Sequence, residues 1–434
     1  MAGMQTNAAN AMEDPAKRGG NRFALFLLFL CFAVNQLDRT IIAFLAVPLK
    51  IDLDLSDSEF AIITGPVFSV TYGVFTLFFA YFSDRGDRAK LLFLVLMIWS
   101  VASGACGLAT SFVQLLIFRL VVGMGEAGGS PTSMALVTDY SMKQQRSMAY
   151  AIYVLGAPFG VFSAAVAGSY IAAQFGWRFT FILCGALGLV LAALMRWKLR
   201  DPRPTSTVSQ HIRPISLSVD IFAGVFSAFR VMRTSRSTIP ILLAFSFSYF
   251  LGGGMVNWAP IFFNRYHLLS VQDAATSIGI AYCLGIVPGI LLGGIVTDRL
   301  AKSNPMWPIY ISQLGLLLSL PMYFFAYYLA DSTAAIIAFG LGIFFSQMTV
   351  GPIFVAFNAT LPSDIRSMAN ACILLGAVVI SGGVANLLVG LFSDQFSGLL
   401  GLASLRVSLI LVVVSMTVIS LARLIHQAGH EGLA

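Results

Sequence analysis

The chain has 434 residues, of which 58% are hydrophobic and 10% are charged, and its formal net charge is +7. A water-soluble domain would carry roughly 25% charged residues, so the composition excludes a soluble protein. Apolar runs of about 20 residues recur along the whole chain. They are continuous rather than alternating, which predicts transmembrane helices and excludes a β-barrel. The basic residues lie in alternate loops and form no nucleic-acid-binding patch.

Twelve spans are predicted, giving an all-α integral membrane protein. In chain order they cover approximately 23–48, 57–82, 89–110, 112–139, 146–174, 177–198, 238–265, 273–300, 305–329, 333–361, 366–393 and 403–427. The one long polar connection divides them six and six. The expected organisation is a disordered cytoplasmic N-terminus 1–22, a six-helix bundle 23–198, a cytoplasmic linker 199–237 with a surface helix, a second six-helix bundle 238–427 and a cytoplasmic tail 428–434.

The placement of lysine and arginine predicts the topology. Most of these residues lie in the N-terminal segment, the linker and alternate loops, whereas the other side has only Lys50, Arg178, Arg265 and Arg406. The positive-inside rule therefore puts both termini in the cytoplasm. The N-terminal segment lacks the short apolar core and cleavage site of a signal peptide, so the first span is expected to stay in the membrane.

The two halves of the chain repeat. After span 2 the sequence reads AYFSDRGDRAK (80–90), and at the matching place after span 8 it reads GGIVTDRLAK (293–302). After span 4 it reads RSMAYA (146–151), and after span 10 it reads RSMANA (366–371). Two related six-helix bundles are the architecture of secondary transporters, whose binding site lies near the midplane between the repeats.

These motifs resemble those of the major facilitator superfamily. The loop after span 2 is similar to the pattern G-x-x-x-D-R-x-G-R-R/K, with Ala80 and Asp87 in place of its two glycines. Within the superfamily the chain resembles bacterial Spinster-like transporters in NQLDRT (35–40), RLVVGMGEAGGSPTS (119–133) and FGWRFTFILCG (175–185). The anion–cation symporters share the Asp-Arg and R-x-x-x-G-x-x-E-A elements. The resemblance implies a multi-pass protein of the bacterial inner membrane, with spans 1 and 4 lining a central cavity.

Four ionisable side chains fall deep inside the predicted spans: Asp38, Arg39, Arg119 and Glu126. A charge at the bilayer centre costs ~2.5–3.5 kcal/mol on insertion scales, so each needs a partner. The helix rise puts Asp38 and Arg119 at similar depth and predicts a charge pair, with Glu126 two turns deeper on the same face as Arg119. We expect the two acids to compete for Arg119 and to couple transport to protons. A static buried salt bridge that fixes helix packing is the structural alternative.

Arg39 has two interpretations that the sequence leaves open. It binds an anionic head group such as phosphate, a task that suits a guanidinium, or it pairs with a carbonyl or a second acid. In the second half Asn257, Trp258 and Thr349 are predicted as polar or aromatic substrate contacts, with ordinary packing as the alternative.

Charged residues at the ends of the spans predict a cytoplasmic gate. Its members are Asp84, Arg85, Arg88, Asp139, Arg146, Asp298, Arg299, Asp364 and Arg366. The superfamily resemblance implies that the Asp-Arg loops pack against the opposite half when this gate closes. Ion pairs that break and re-form would serve as a latch for two rocking halves. Charges that only set the topology are the alternative.

Together these features predict a proton-coupled secondary active transporter that works by alternating access and functions as a monomer. The charged first half and the apolar second half suit an amphipathic substrate, and the Spinster resemblance implies a lysolipid- or sphingolipid-like one, in contact with membrane lipids. Small organic anions, or drugs exchanged for protons, are the alternatives. The sequence contains no HExxH, GxSxG or GxxxxGK[ST], so it predicts neither an enzyme nor an ATP-driven pump. No metal or cofactor is predicted; the proton is the coupling ion.

Overall fold

The computed structural model describes residues 15–142, 145–203, 238–304, 306–359, 373–415 and 418. Nine segments in this part of the chain are long and apolar enough to cross a membrane. Two of them, Met148–Lys198 with 51 residues and Ile373–Ser415 with 43 residues, are each long enough to cross twice. With the helices of 238–267 they make twelve spans in two six-helix bundles, which confirms the predicted fold class. Of the N-terminal segment 1–22 that is predicted to be disordered, residues 15–22 belong to the helix Pro15–Phe44. Residues 1–14, the linker residues 204–237, residues 360–372 and the tail lie outside the described residues.

The helices of the first half follow the predicted spans closely, but several spans are broken. Their bounds are Pro15–Phe44 and Ala46–Asp52 for span 1, Asp57–Thr64 and Pro66–Arg85 for span 2, Arg88–Cys106 for span 3, Phe112–Tyr140 for span 4, Arg146–Val154, Gly156–Ser163 and the π-helix Ala164–Gly168 for span 5, and Ser169–Lys198, which completes span 5 and forms span 6. The last helix turns at Gly176, whose φ of 83° is easily adopted only by glycine.

The second half has the same plan. Its helices are Thr238–Tyr249, the π-helix Phe250–Gly254 and Met255–His267 for span 7, Val271–Leu300 for span 8, Trp307–Tyr328 for span 9, Ser332–Gln347 and Val350–Ala359 for span 10, the π-helix Val378–Ala385 and Asn386–Leu400 for span 11, and the 3-10 turn Gly401–Ala403 followed by helical residues 404–415 for span 12. The π-helical turns of spans 7 and 11 border the central cavity, which fits the frequent use of such turns at functional sites.

Local sequence explains where the helices begin. Ser56 caps span 2 in a capping box: its hydroxyl accepts from the backbone N–H of Glu59, and its own N–H donates to the Glu59 carboxylate. Asp87 caps span 3 by accepting from the N–H of Lys90. Side-chain caps satisfy backbone donors that a helix start leaves free.

The two halves meet on one side of the membrane. We call the side on which span 1 begins the near side, and the side on which it ends, at Asp52, the far side. A Cβ atom added to Gly65 in span 2 would lie 2.7 Å from the carbonyl oxygen of Gly382 in span 11, and one added to Gly279 in span 8 would lie 2.1 Å from Cβ of Ala165 in span 5. Glycine therefore allows two pairs of spans from opposite halves to approach closely.

Glycine also sets the packing inside the first bundle. A Cβ atom on Gly185 in span 6 would lie 2.6 Å from the backbone nitrogen of Gly104 in span 3. We expect Gly185→Ala to lower the unfolding temperature in detergent, because forced overpacking typically costs about 1–3 kcal/mol. The matched control is Gly294→Ala, where the new Cβ atom meets nothing within 4 Å, and this variant should unfold at or above the wild-type temperature. Equal behaviour of the two variants would contradict this packing account.

Candidate substrate and proton site

A cavity of about 350 Å³ lies between the two halves. Its apolar walls include Phe32, Phe68, Val161 and Ile286. Polar side chains come from both halves: Gln36, Arg39, Tyr72, Arg119 and Ser130 from the first, and Tyr249, Asn257, Tyr282 and Gln347 from the second. The cavity therefore offers one accessible guanidinium together with hydroxyl and amide groups and apolar surface.

Arg39 pairs with Glu126. Its Nη2 and Nε atoms lie 3.0 and 3.1 Å from Oε2 of Glu126, and the guanidinium covers the rings of Phe68 and Tyr72 at 5.0 and 4.5 Å from their centroids. The side chain of Arg39 is 20% exposed, while Glu126 is fully buried. Arg39 thus pairs with a second acid, as one of the two interpretations predicts, and it also faces the cavity, where binding of an anionic head group stays a prediction.

Asp38 is bound differently from the prediction. Its Oδ1 atom accepts from the Ser103 hydroxyl of span 3 at 3.0 Å, and Nη1 of Arg119 reaches the backbone oxygen of Asp38 at 3.3 Å. Among the described side chains, Arg119 lies beyond ion-pair distance of both the Asp38 and the Glu126 carboxylates. The predicted Asp38–Arg119 ion pair is therefore corrected, whereas competition of the two acids for a re-oriented Arg119 stays a prediction. Asp38 and Arg119 do lie at similar depth, but the hydrogen-bond partner of the Asp38 carboxylate is the Ser103 hydroxyl of span 3.

The periodicity of the helix explains why the side chains of the adjacent residues Asp38 and Arg39 point in different directions. Consecutive residues point about 100° apart on a helix, since a turn takes 3.6 residues. Asp38 therefore faces span 3 inside the bundle, whereas Arg39 faces the cavity and span 4. The Phe68 ring lies near both guanidinium groups, with its centroid 5.0 Å from Cζ of Arg39 and 5.3 Å from Cζ of Arg119.

Only one of the three substrate contacts predicted in the second half lines the cavity of this conformation, namely Asn257. Trp258 is fully buried, and its indole N–H donates to Oδ1 of Asn386 at 2.5 Å. Thr349 is also fully buried and shares a 2.6 Å hydrogen bond with Ser248. The predictions for Trp258 and Thr349 are corrected, because both groups are satisfied by bonds within the protein.

A charged cluster closes the far side. The carboxylate of Asp57, at the start of span 2, accepts from both terminal nitrogens of Arg265 in span 7 at 2.8 and 2.9 Å, from Ser393 in span 11 at 2.6 Å, and from Lys50. Asp394 in turn accepts from the backbone N–H groups of Asp57 and Ser58 at 3.1 and 2.7 Å. One acid of the first half therefore binds two spans of the second half.

A buried polar chain lies deeper on the same side. The Asn386 amide of span 11 donates to the hydroxyl of Thr64 in span 2 at 2.9 Å, and the same amide accepts from Trp258. The Phe60 ring meets Trp258 edge to face at 5.8 Å between centroids. Spans 2, 7 and 11 are thereby joined above the cavity.

The near side has a different arrangement. Arg88 pairs with Asp139 at 2.6 Å, and Arg146 is exposed. Asp201, at the start of the linker, accepts from the backbone N–H of Arg88 at 2.8 Å and pairs with Arg203 at 2.7 Å. Burial tends to raise the pKa of Asp201, but hydrogen bonds from Arg203 and Arg88 outweigh burial and lower it.

All near-side pairs among the described residues lie within one half. Arg85 covers the Tyr81 ring at 3.8 Å, and Asp298 and Arg299 are exposed. The Asp84 side chain and residues Asp364 and Arg366 lie outside the described part. No ion pair is found between described gate residues of opposite halves in this conformation, which is closed on the far side.

Sequence reasoning missed the far-side cluster and much of the cavity lining. Lys50 and Arg265 are used in the sequence-based prediction only to assign topology. They are two of the four basic residues on their side of the membrane, and acidic residues occur near them in the sequence. That scarcity of charge was the available signal. No sequence signal indicates the other lining residues, because isolated polar residues are common in membrane spans. These residues are Tyr72, Tyr249, Tyr282 and Gln347.

Comparison with known proteins identifies the family. The sequence profile described as Major Facilitator Superfamily matches residues 28–371. The chain belongs to this superfamily. It is similar to an MFS-type efflux pump of Mycolicibacterium smegmatis (28% identical, covering 94% of this chain and 93% of the relative) and to a hexuronate transporter of Bacillus subtilis (28% identical, covering 75% and 77%).

A solved structure shares the fold over nearly the full length. It is a bacterial homologue of the human lysosomal transporter Spinster in an inward-facing and unoccupied conformation, with a TM-score of 0.80, 25% identity, and coverage of 93% of this chain and 96% of that chain. The predicted resemblance to Spinster-like transporters is confirmed. The chain is a multi-pass integral membrane transporter of the Major Facilitator Superfamily rather than an enzyme.

Proposed function

We propose that this transporter couples the movement of an anionic, amphipathic substrate to protons by alternating access. The observation that carries the proposal is the pair formed by cavity-facing Arg39 and fully buried Glu126. The pair connects a substrate-accessible cation to an acid that has no other cation within bonding distance among the described residues.

The coupling follows from competition for Arg39. A substrate anion that binds the guanidinium draws it away from Glu126, and a buried carboxylate without a counter-charge favours its protonated form. Proton binding and anion binding therefore support each other. Asp38, bonded to Ser103 rather than to a base, is the second acid that takes up or releases a proton. Arg119 holds the Asp38 backbone and provides nearby positive charge.

The lining supports an amphipathic substrate. Arg39 and the surrounding hydroxyl and amide groups would bind a charged head, and Phe32, Phe68, Val161 and Ile286 offer apolar contact. A lysolipid- or sphingolipid-like molecule that enters from the membrane combines these features.

A small organic anion is the second candidate. It is favoured by the amides of Gln36, Asn257 and Gln347 and the hydroxyls around Arg39, which suit a hydroxylated acid. It is favoured also by the similarity to a hexuronate transporter. Amphipathic drugs exchanged for protons are a third class, and the similarity to an MFS-type efflux pump is consistent with export.

The orientation is proposed from the charge distribution. The near side carries most of the lysine and arginine, so it is assigned to the cytoplasm of a bacterial inner membrane, with both termini there. The far-side closure then corresponds to an inward-facing state of a monomeric transporter, which needs membrane lipids and protons but no cofactor.

Flux in liposomes tests the function. Purified protein is reconstituted, a pH gradient is imposed, and uptake and release of lysophosphatidylcholine, lysophosphatidate, sphingosine-1-phosphate, glucuronate, galactonate and a cationic dye are measured. Saturable flux of an anionic probe that ceases without the gradient is the expected result. Flux of the dye alone would favour drug–proton antiport, and ohmic currents through single molecules would show a channel and contradict alternating access.

A further inference from the structure

Within the described part of the chain, Thr132 in span 4 lacks the hydrogen bond that several other threonines of the membrane spans make. The hydroxyls of Thr64 and Thr71 donate to the carbonyl four residues earlier, at 2.8 and 2.7 Å. Thr132 is fully buried, and its hydroxyl has no hydrogen-bond partner among the described residues. It follows Pro131, which has no N–H group and so leaves the carbonyl of Ala127 without its helical donor.

Two more unsatisfied groups, on spans 1 and 3, meet span 4 about one helical turn before Thr132. Asn35 is 2% exposed and Trp99 is fully buried, and neither the amide atoms nor the indole N–H makes a hydrogen bond of normal geometry within the described residues. Both meet span 4 at Gly129: a Cβ atom there would lie 3.2 Å from the Trp99 ring and 3.8 Å from Nδ2 of Asn35. We call Asn35, Trp99 and Thr132 the polar cluster of the first bundle.

The cluster leads away from Glu126 towards the near side. The Asn35 amide faces the carboxylate of Glu126, whose Oε1 atom is also unsatisfied among the described groups. Span 4 runs from the far side to the near side, so Thr132 lies about 9 Å beyond Glu126 at ~1.5 Å per residue. None of the three cluster residues contributes to the lining found for the cavity.

Buried polar groups in proteins are nearly always hydrogen-bonded, and internal water with about three bonds is the usual partner when side chains are not. Because Gly129 has no side chain, Trp99 and Asn35 approach span 4 closely there. Proline in membrane helices is tolerated partly because water satisfies the carbonyl that it frees. The unsatisfied donors and acceptors of the cluster thus lie among spans 1, 3 and 4.

We propose that the polar cluster binds a short chain of water molecules through which protons pass between the near side and Glu126, separately from the substrate cavity. In each transfer a water molecule accepts one proton and donates another, so that one proton reaches Oε1 of Glu126 and no bond in the protein is broken. The inference rests on the proposed role of Glu126. It implies that a substrate held in the cavity does not obstruct proton exchange.

The ionisable groups around the cluster are consistent with such a route. Arg39 occupies the other carboxylate oxygen of Glu126, and Asp38 and Arg119 lie nearby within the bundle. Towards the near side, Cys31 and Tyr153 approach Ser133, the residue after Thr132. The chain of water would therefore run past hydroxyl and thiol groups rather than past another buried base.

Infrared spectroscopy of the substrate-free, full-length protein tests this route. The pH is lowered until the band of a protonated carboxylic acid appears, and loss of that band in Glu126→Gln assigns it to Glu126. The rate at which the band shifts after transfer into D₂O is then compared among variants. We expect Thr132→Val and Asn35→Leu each to slow the exchange by about tenfold, because each removes a hydrogen-bonding step.

Thr132→Ser is the matched control, since it retains the hydroxyl, and it should exchange at the wild-type rate. Wild-type exchange in both Thr132→Val and Asn35→Leu, or equal slowing in Thr132→Ser, would overturn the water chain. Those results would leave the proposed function standing, whereas an unchanged acid band and unchanged proton coupling in Glu126→Gln would refute the function itself. Should a variant misfold, density for ordered water against Thr132 and Asn35 in a high-resolution experimental structure gives the same decision.

Discussion

Arg39→Ala should reduce transport of an anionic substrate by about a hundredfold, and Arg39→Lys by about tenfold. The alanine variant removes the accessible guanidinium of the cavity and leaves Glu126 buried without its counter-charge. Hydrogen bonds to charged groups contribute about 1.5–3 kcal/mol, which corresponds to this range of rates. Lysine keeps the charge but loses the planar group that covers Phe68 and Tyr72, so part of the function should survive.

The measurement is initial flux of an anionic probe into liposomes at fixed protein content. Arg178→Ala is the matched control, because Arg178 pairs with Asp52 on the far side and is 40% exposed. Exposed pairs contribute little, so flux in this variant should stay near that of the wild type. Undiminished flux of the anion in Arg39→Ala would remove Arg39 from the substrate site.

Asp57→Asn should shift the transporter away from the conformation that is closed on the far side. Asp57 is buried and binds Arg265, Lys50 and Ser393, and separation of the halves would break its contacts with spans 7 and 11. Loss of one partner of a buried ion pair costs about 3–5 kcal/mol. Even the lower figure would change the ratio of the two conformations by more than about a hundredfold.

Distances between spin labels on the far side would report this shift. Leu108→Cys at the end of span 3 and Leu399→Cys in span 11 supply exposed positions in the two halves, in a chain whose native cysteines are replaced. Longer distances should appear in Asp57→Asn but not in the control Asp52→Asn, whose partner Arg178 belongs to the same half. An unchanged distance distribution in Asp57→Asn would show that the cluster does not hold the far side closed.

The fold was predictable because the membrane imposes a simple rule on sequence. Continuous apolar runs give the spans, and the repeated Asp-Arg and RSMA elements give the two halves. The helix breaks were less accessible: the π-helical turns at Phe250–Gly254 and Val378–Ala385 have no signal beyond glycine in an apolar run. Their effect depends on how neighbouring spans pack around the cavity.

The four buried charges were predictable as a group but not as pairs. Helix rise gives the depth of Asp38 and Arg119, whereas pairing depends also on helix rotation and on a third span. Ser103 is one of many serines in apolar segments, and nothing local indicates that it binds Asp38. Likewise, Asn257 and Trp258 are neighbours in the sequence, but only the first faces the cavity. A rotation of about 100° separates them, and sequence pattern alone does not determine which one points inwards.

Proton coupling through Asp38 and Glu126 is tested most directly by a pH gradient across liposomes that contain Asp38→Asn or Glu126→Gln. Flux of the anionic probe that the wild type transports is measured with and without the gradient, and Glu59→Gln, which alters only the capping box of span 2, is the control. We predict that the gradient drives transport in the wild type and in the control but in neither acid variant. Normal gradient-driven transport in both acid variants would contradict the mechanism.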